Sequence, residues 1–107
     1  MKACIIIPCF NHQRTVAGVA EAARRYCPVF VVDDGSPEPL PPLSVDGVIR
    51  LGQNRGKGAA LRAGFAQATA QGFTHAITLD ADGQHHTEDV PRFLAAAQSH
   101  PEALERS

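Results

Sequence analysis

No apolar run in the sequence is long enough to cross a membrane. The stretch MKACIIIPCF has one Lys and a five-residue apolar run, too short for a signal-peptide core or a membrane span. Membrane association is therefore expected only if it is encoded beyond residue 107. An excess of one charge is also missing. Ten Lys and Arg oppose eleven Asp and Glu, for a formal net charge of −1, which excludes a general pull toward nucleic acid or an anionic surface. An anionic ligand has to be attracted locally. Cysteine is scarce: Cys4, Cys9 and Cys27 form no CxxC pair and no metal-type spacing. This excludes a disulfide framework and points to a reduced, cytoplasmic protein. The histidines, His12, His75, His85, His86 and His100, make no zinc pattern, and most are expected on the surface. Cys9 has no paired His and no helix-start context, so it is not expected to act as a nucleophile.

What is present suits one small globular domain. The 107 residues are 44% hydrophobic, and a chain of this length buries roughly two-thirds of its unfolded surface. ACIIIP reads as a strand buried on both faces, because it is short, continuous and β-branched. Val16, Val19, Ala20 and Ala23 follow at helical spacing. PVFVVDD is a second buried strand, stopped by Gly35-Ser36-Pro37. PEPLPPLS is an extended connector, and GVIRL a weaker third strand. GKGAALRAGFAQATAQG is a helix with Leu61, Phe65 and Ala68 on one face, Gly64 allowing close approach, and Gly72 ending it. FTHAITLD is a fourth strand. Thr87 starts a last helix that carries Val90, Phe93, Leu94 and Ala97 inward, with Pro91 in its first turn.

The order β-α-β-β-α-β-α, without internal repeats, predicts an α/β fold: a mostly parallel sheet flanked by helices. Ligands in such sheets bind beyond the carboxyl ends of the strands. Three strands here end in polar, function-capable residues: Pro8 to His12, Asp33 to Ser36, and Asp80 to His86.

Asp80 and Asp82 are two residues apart, so in extended chain both carboxylates face one side. Two such charges ~4 Å apart repel by ~4 kcal/mol at an effective dielectric of ~20, which a divalent cation relieves. Oxygen donors suit Mg²⁺ or Mn²⁺, and Gln84 adds a neutral oxygen after the turn at Gly83. The competing reading is a solvated acidic turn that caps the next helix. Asp33 and Asp34 likewise fit either turn chemistry, with the first carboxylate capping backbone N–H groups, or contact with a base or ribose. LGQNRGKGAALRAG is not a phosphate loop. Gly52 to Gly56 is one residue short, and Gly58 stands where Ser or Thr should hold Mg²⁺. Asn54, Arg55 and Lys57 at a helix start still make a local anion site, against a plain glycine-rich helix entry with solvated charges.

Taken together and in order, IIIPCFNHQRTV, VFVVDDGS, NRGKGAALRAGFAQA and FTHAITLDADGQHHTEDVPRFL resemble the family 2 glycosyltransferases of the GT-A (Rossmann-like) fold. Within that family they are most similar to the dolichyl-phosphate and polyprenyl-phosphate mannosyltransferases. The resemblance implies a transfer of sugar from a nucleotide-diphospho-sugar donor to a saccharide or polyprenyl-phosphate acceptor, by inverting displacement with Mg²⁺ or Mn²⁺. It implies that Pro8, Phe10, His12 and Val31 line the base and ribose side and that Asp33 hydrogen-bonds the base or ribose. Asp80, Ala81 and Asp82 match the DxD motif, with Asp80 toward the sugar or ribose, Asp82 on the metal and Gln84 at a metal-contacting position. Lys57 falls near the diphosphate.

His12 stands where the family usually has Glu. Family members also continue well past the helix after DxD, so residues 1–107 are expected to be the nucleotide-sugar-binding part, with the acceptor-binding half absent. That leaves a second reading, a non-catalytic nucleotide-sugar-binding or interaction module. LDADGQ also resembles the DxD of haloacid-dehalogenase phosphatases, and Asp33-Asp34 with Asp80 resembles receiver domains. The former usually carry the motif on the first strand, and the latter need a late strand-end Lys.

Overall fold

The computed structural model describes residues 2–82, 87–99 and 105–106. Strand β1 (Ala3–Cys9) leads into helix α1 (Val16–Arg24) and strand β2 (Val29–Asp33). A connector without helix or strand then reaches β3 (Gly47–Arg50), followed by α2 (Lys57–Ala70) and β4 (His75–Thr78). A 3-10 turn (Thr87–Asp89) opens α3 (Val90–Ser99), and a two-residue strand β5 (Glu105–Arg106) closes the order. The predicted element order holds. β5 is the addition, and a two-residue strand carries no periodicity to read.

The sheet runs β3-β2-β1-β4-β5, and every pairing is parallel. Its central strands are covered on both faces, which is why β1 and β2 read as continuous apolar runs rather than alternating ones. Ile5, Ile7, Val29, Val31 and Ile77 pack on one side with Val16, Val19, Ala20 and Ala23 of α1 and with Val90. Cys4, Ile6, Phe30 and Val32 pack on the other with Ala60, Leu61 and Ala68 of α2. Each fully buried Ile or Val contributes roughly 1.5–3 kcal/mol relative to exposure. Phe65 is half-buried, and Ala60 and Gly64 share the buried face of α2 with Leu61 and Ala68. Gly64 is there because a Cβ at that point would lie 2.6 Å from Ile6 Cγ2. Gly72 ends the helix at φ 85°.

The proline-rich connector carries neither helix nor strand and packs Leu40, Leu43 and Val45 onto the α1 face in place of a crossover helix. Phe93 and Leu94 are packed against the same cluster; the side chain of Ala97 and all of His100 lie outside the described residues. His75 departs from the surface expectation. It is 2% exposed on β4, with Nδ1 2.7 Å from Thr74 Oγ1. Among the described residues, no helix is long and apolar enough to cross a membrane.

Candidate functional site

From β1 the chain proceeds to β2 on one side, while β4 pairs with β1 on the other. The strand ends part there, the position at which parallel α/β sheets open a crevice. A cleft of about 410 Å³ occupies it.

Pro8, Cys9, Phe10 and His12 form its first wall. Ile7 and Cys9 belong to the α1-face cluster, so strand alternation turns Pro8 the other way. The Cys9 carbonyl accepts from Asp34 N at 2.8 Å. Asn11 takes φ 60°, a conformation Asn tolerates better than most residues, and its N–H donates to Ser36 Oγ at 3.0 Å. This bend leaves Phe10 exposed at the rim and aims the His12 carbonyl at the N–H groups of Thr15 and Val16, where α1 begins. Burial pushes the Cys9 thiol up, a bond from the His12 backbone opposes this, and Asp33 adds to the rise. A protonated thiol is a poor nucleophile.

The two carboxylates that follow β2 part company. Asp33 is buried on the side away from the cleft. Its Oδ1 accepts from Ser36 N at 3.0 Å and its Oδ2 lies 3.7 Å from Arg50 Nε. Asp34 faces the cleft and holds the start of α2. Its Oδ1 accepts from Arg55 N at 2.8 Å, and its Oδ2 from Gly56 N at 2.9 Å and Asn54 Nδ2 at 3.0 Å. Gly35, at φ 73°, lets this turn lie against Gln53 and Asn54, where a Cβ would come within 2.3 Å of backbone. Val31 and Asp33, both sequence candidates, are thus buried and do not line the cleft; Asp34 does. Alternation along β2 signals that the two carboxylates diverge, but not which of them meets the cleft.

Asp80, Ala81 and Asp82 form the opposite wall. The Ala81 carbonyl is tied to Thr15 Oγ1, which fastens this segment to the start of α1. Lys57, the first residue of α2, places Nζ 2.6 Å from Asp80 Oδ1. The positive charge that two closely spaced carboxylates call for is supplied at Asp80 by the chain itself. Among the described residues, no group of three or more His, Cys, Asp or Glu converges in a way that could hold a metal ion. Gln84 lies outside the described residues, with Gly83, His85 and His86. The acidic groups lining the cleft, Asp34, Asp80 and Asp82, offer oxygen alone, the donor type that Mg²⁺ and Mn²⁺ prefer.

The model of glycosyl transferase family 2 matches residues 4–105. The chain belongs to this family. Its parallel sheet with helices on both faces is the GT-A, Rossmann-like arrangement. Among curated relatives, it is 29% identical over 110 residues to the polyprenol monophosphomannose synthase of Mycolicibacterium smegmatis, covering 92% of this chain and 42% of that protein. It is 31% identical over 113 residues to the undecaprenyl-phosphate 4-deoxy-4-formamido-L-arabinose transferase of Klebsiella pneumoniae, covering 90% of this chain and 33% of that one. An uncharacterised protein of Methanocaldococcus jannaschii is 36% identical over 95 residues, covering 84% of this chain and 39% of its own. The chain therefore spans between 33% and 42% of the length of these family relatives. No solved structure matches it.

Proposed function

We propose that residues 1–107 form the nucleotide-sugar-binding part of a glycosyltransferase that moves a sugar from a nucleoside-diphosphate donor to a polyprenyl-phosphate or saccharide acceptor. The observation that carries this reading is the single cleft lined by Pro8, Phe10, His12, Lys57, Asp80 and Asp82. The names of two relatives, a polyprenol monophosphomannose synthase and an undecaprenyl-phosphate 4-deoxy-4-formamido-L-arabinose transferase, support the acceptor class. Such a lipid acceptor fits a protein in the cytoplasm or at the cytoplasmic face of a membrane.

In this reading Pro8, Phe10 and His12 receive the base and ribose. Asp34 joins them, since three donors leave its carboxylate one acceptor position of about four. Val31 and Asp33 contribute by shaping the strand end. Asp82, with Asp80 and Gln84, would hold Mg²⁺ or Mn²⁺. Two carboxylates leave room for water and diphosphate oxygens, the mixed shell these ions favour. An ion held there would supply positive charge against the nucleoside diphosphate as it departs. The protein's own work is to position the donor for in-line inverting displacement.

Isothermal titration with GDP and UDP, with and without Mn²⁺, tests the reading. Binding of one diphosphate should require Mn²⁺ and disappear in Asp82→Ala. Metal-independent binding that survives Asp82→Ala would overturn it. A transfer assay on the same protein separates an enzyme from a module that binds without turnover.

A further inference from the structure

The Lys57–Asp80 pair stands at the cleft without a place in the fold's core. Both groups are accessible, Lys57 at 61% and Asp80 at 33% of the side chain, with 2.6 Å between Nζ and Oδ1. Accessible pairs of this kind contribute little net stability and exchange partners readily. Lys57 is also the first residue of α2, whose first turn contains no acidic residue. A cation there opposes the positive end of the helix dipole, so the helix itself does not favour the charge. Asp80, arriving from β4, offsets it. The ammonium is a compact charge on a flexible stem and can swing between neighbouring anions.

We propose that Lys57 is an exchangeable counter-ion of Asp80, which couples metal binding to donor binding. This rests on the donor-site reading above. While Lys57 sits on Asp80, a divalent cation entering the same wall meets a cation already in place and a carboxylate already neutralised. The diphosphate of a donor offers Lys57 a more highly charged partner. Once Lys57 transfers to it, the ammonium that repelled the metal has left Asp80 and the wall accepts the cation. Metal and nucleotide then favour each other, and by linkage the coupling is the same in both directions. Lys57 is on this account a positioning residue that keeps the bare protein from loading metal ahead of the donor.

The test measures Mn²⁺ affinity, by titration of the free-ion electron paramagnetic resonance signal, with and without GDP or UDP. In the unsubstituted protein, whichever diphosphate binds should tighten Mn²⁺ about tenfold, within the usual range for coupled sites. Lys57→Met should bind Mn²⁺ alone several-fold more tightly than the unsubstituted protein, bind the diphosphate more weakly, and lose most of the coupling. Lys57→Arg should retain the coupling. Far-ultraviolet circular dichroism checks that both variants keep the fold, as the exposure of Lys57 leads one to expect. Equal or weaker Mn²⁺ binding by Lys57→Met, with the coupling intact, overturns the inference and leaves the donor site standing. Failure of the unsubstituted protein to bind either diphosphate with Mn²⁺ overturns both.

Discussion

Asp34, which follows β2, anchors the approach to α2: its Oδ2 accepts from Gly56 N at 2.9 Å, one residue before the helix begins. The carboxylate that follows β2 therefore satisfies the N–H groups of the two residues before the helix and fixes the distance between two walls of the cleft.

Asp34→Ala should orphan the Arg55 and Gly56 N–H groups, while the Asn54 amide keeps its bond to the Asp34 carbonyl. These bonds are part-buried, so at about 0.5–1.5 kcal/mol for each net hydrogen bond lost, the loss should be about 1–3 kcal/mol in urea unfolding. Asp34→Asn keeps one acceptor oxygen and should lose less. Equal stability of Asp34→Ala and the unsubstituted protein would show that water replaces the carboxylate.

Gly64→Val should destabilise the packing of α2 on the sheet. Even a Cβ would meet Ile6 Cγ2 at 2.6 Å and Val32 Cγ2 at 3.2 Å, and overpacked cores lose about 1–3 kcal/mol. Combining it with Ile6→Ala should give a smaller loss than the two single effects added together. Strict additivity in thermal unfolding would count against direct contact.

Phe10→Ala should weaken nucleoside-diphosphate binding and leave the fold unchanged, since the ring stands exposed at the cleft rim. Base–aromatic stacking contributes about 1–3 kcal/mol, so Kd should rise at least about fivefold. Unchanged affinity would remove Phe10 from the base side.

The cysteines set an alkaline limit. Burial, assisted by Cys27, pushes the Cys4 thiol from 9.0 up to about 12, and burial also raises Cys27. Between those two values the folded protein holds a proton that the unfolded chain releases. The contribution is whole below the unfolded value and fades as pH climbs toward the folded one. The urea midpoint should therefore fall as pH climbs from about 9 toward about 12. Iodoacetamide should label Cys4 and Cys27 in urea and spare them in the native protein, where both are buried.

Local pattern determined most of the architecture. β-branched apolar runs can bury both faces in a parallel sheet and little else at that length. The spacing of Val16, Val19, Ala20 and Ala23 specifies one buried stripe, and all four are buried in α1. The polar strand ends located the cleft, because a parallel sheet leaves its carboxyl edge open. Tertiary structure decided the rest. That Asp33 and Asp34 diverge follows from strand geometry, but which one reaches the cleft depends on the face against which α2 packs. Lys57 and Asp80 are 23 positions apart, and Thr15 and Ala81 are 66 apart. Side-chain pairing over such separations is set by how the helices dock on the sheet, and no local periodicity encodes it.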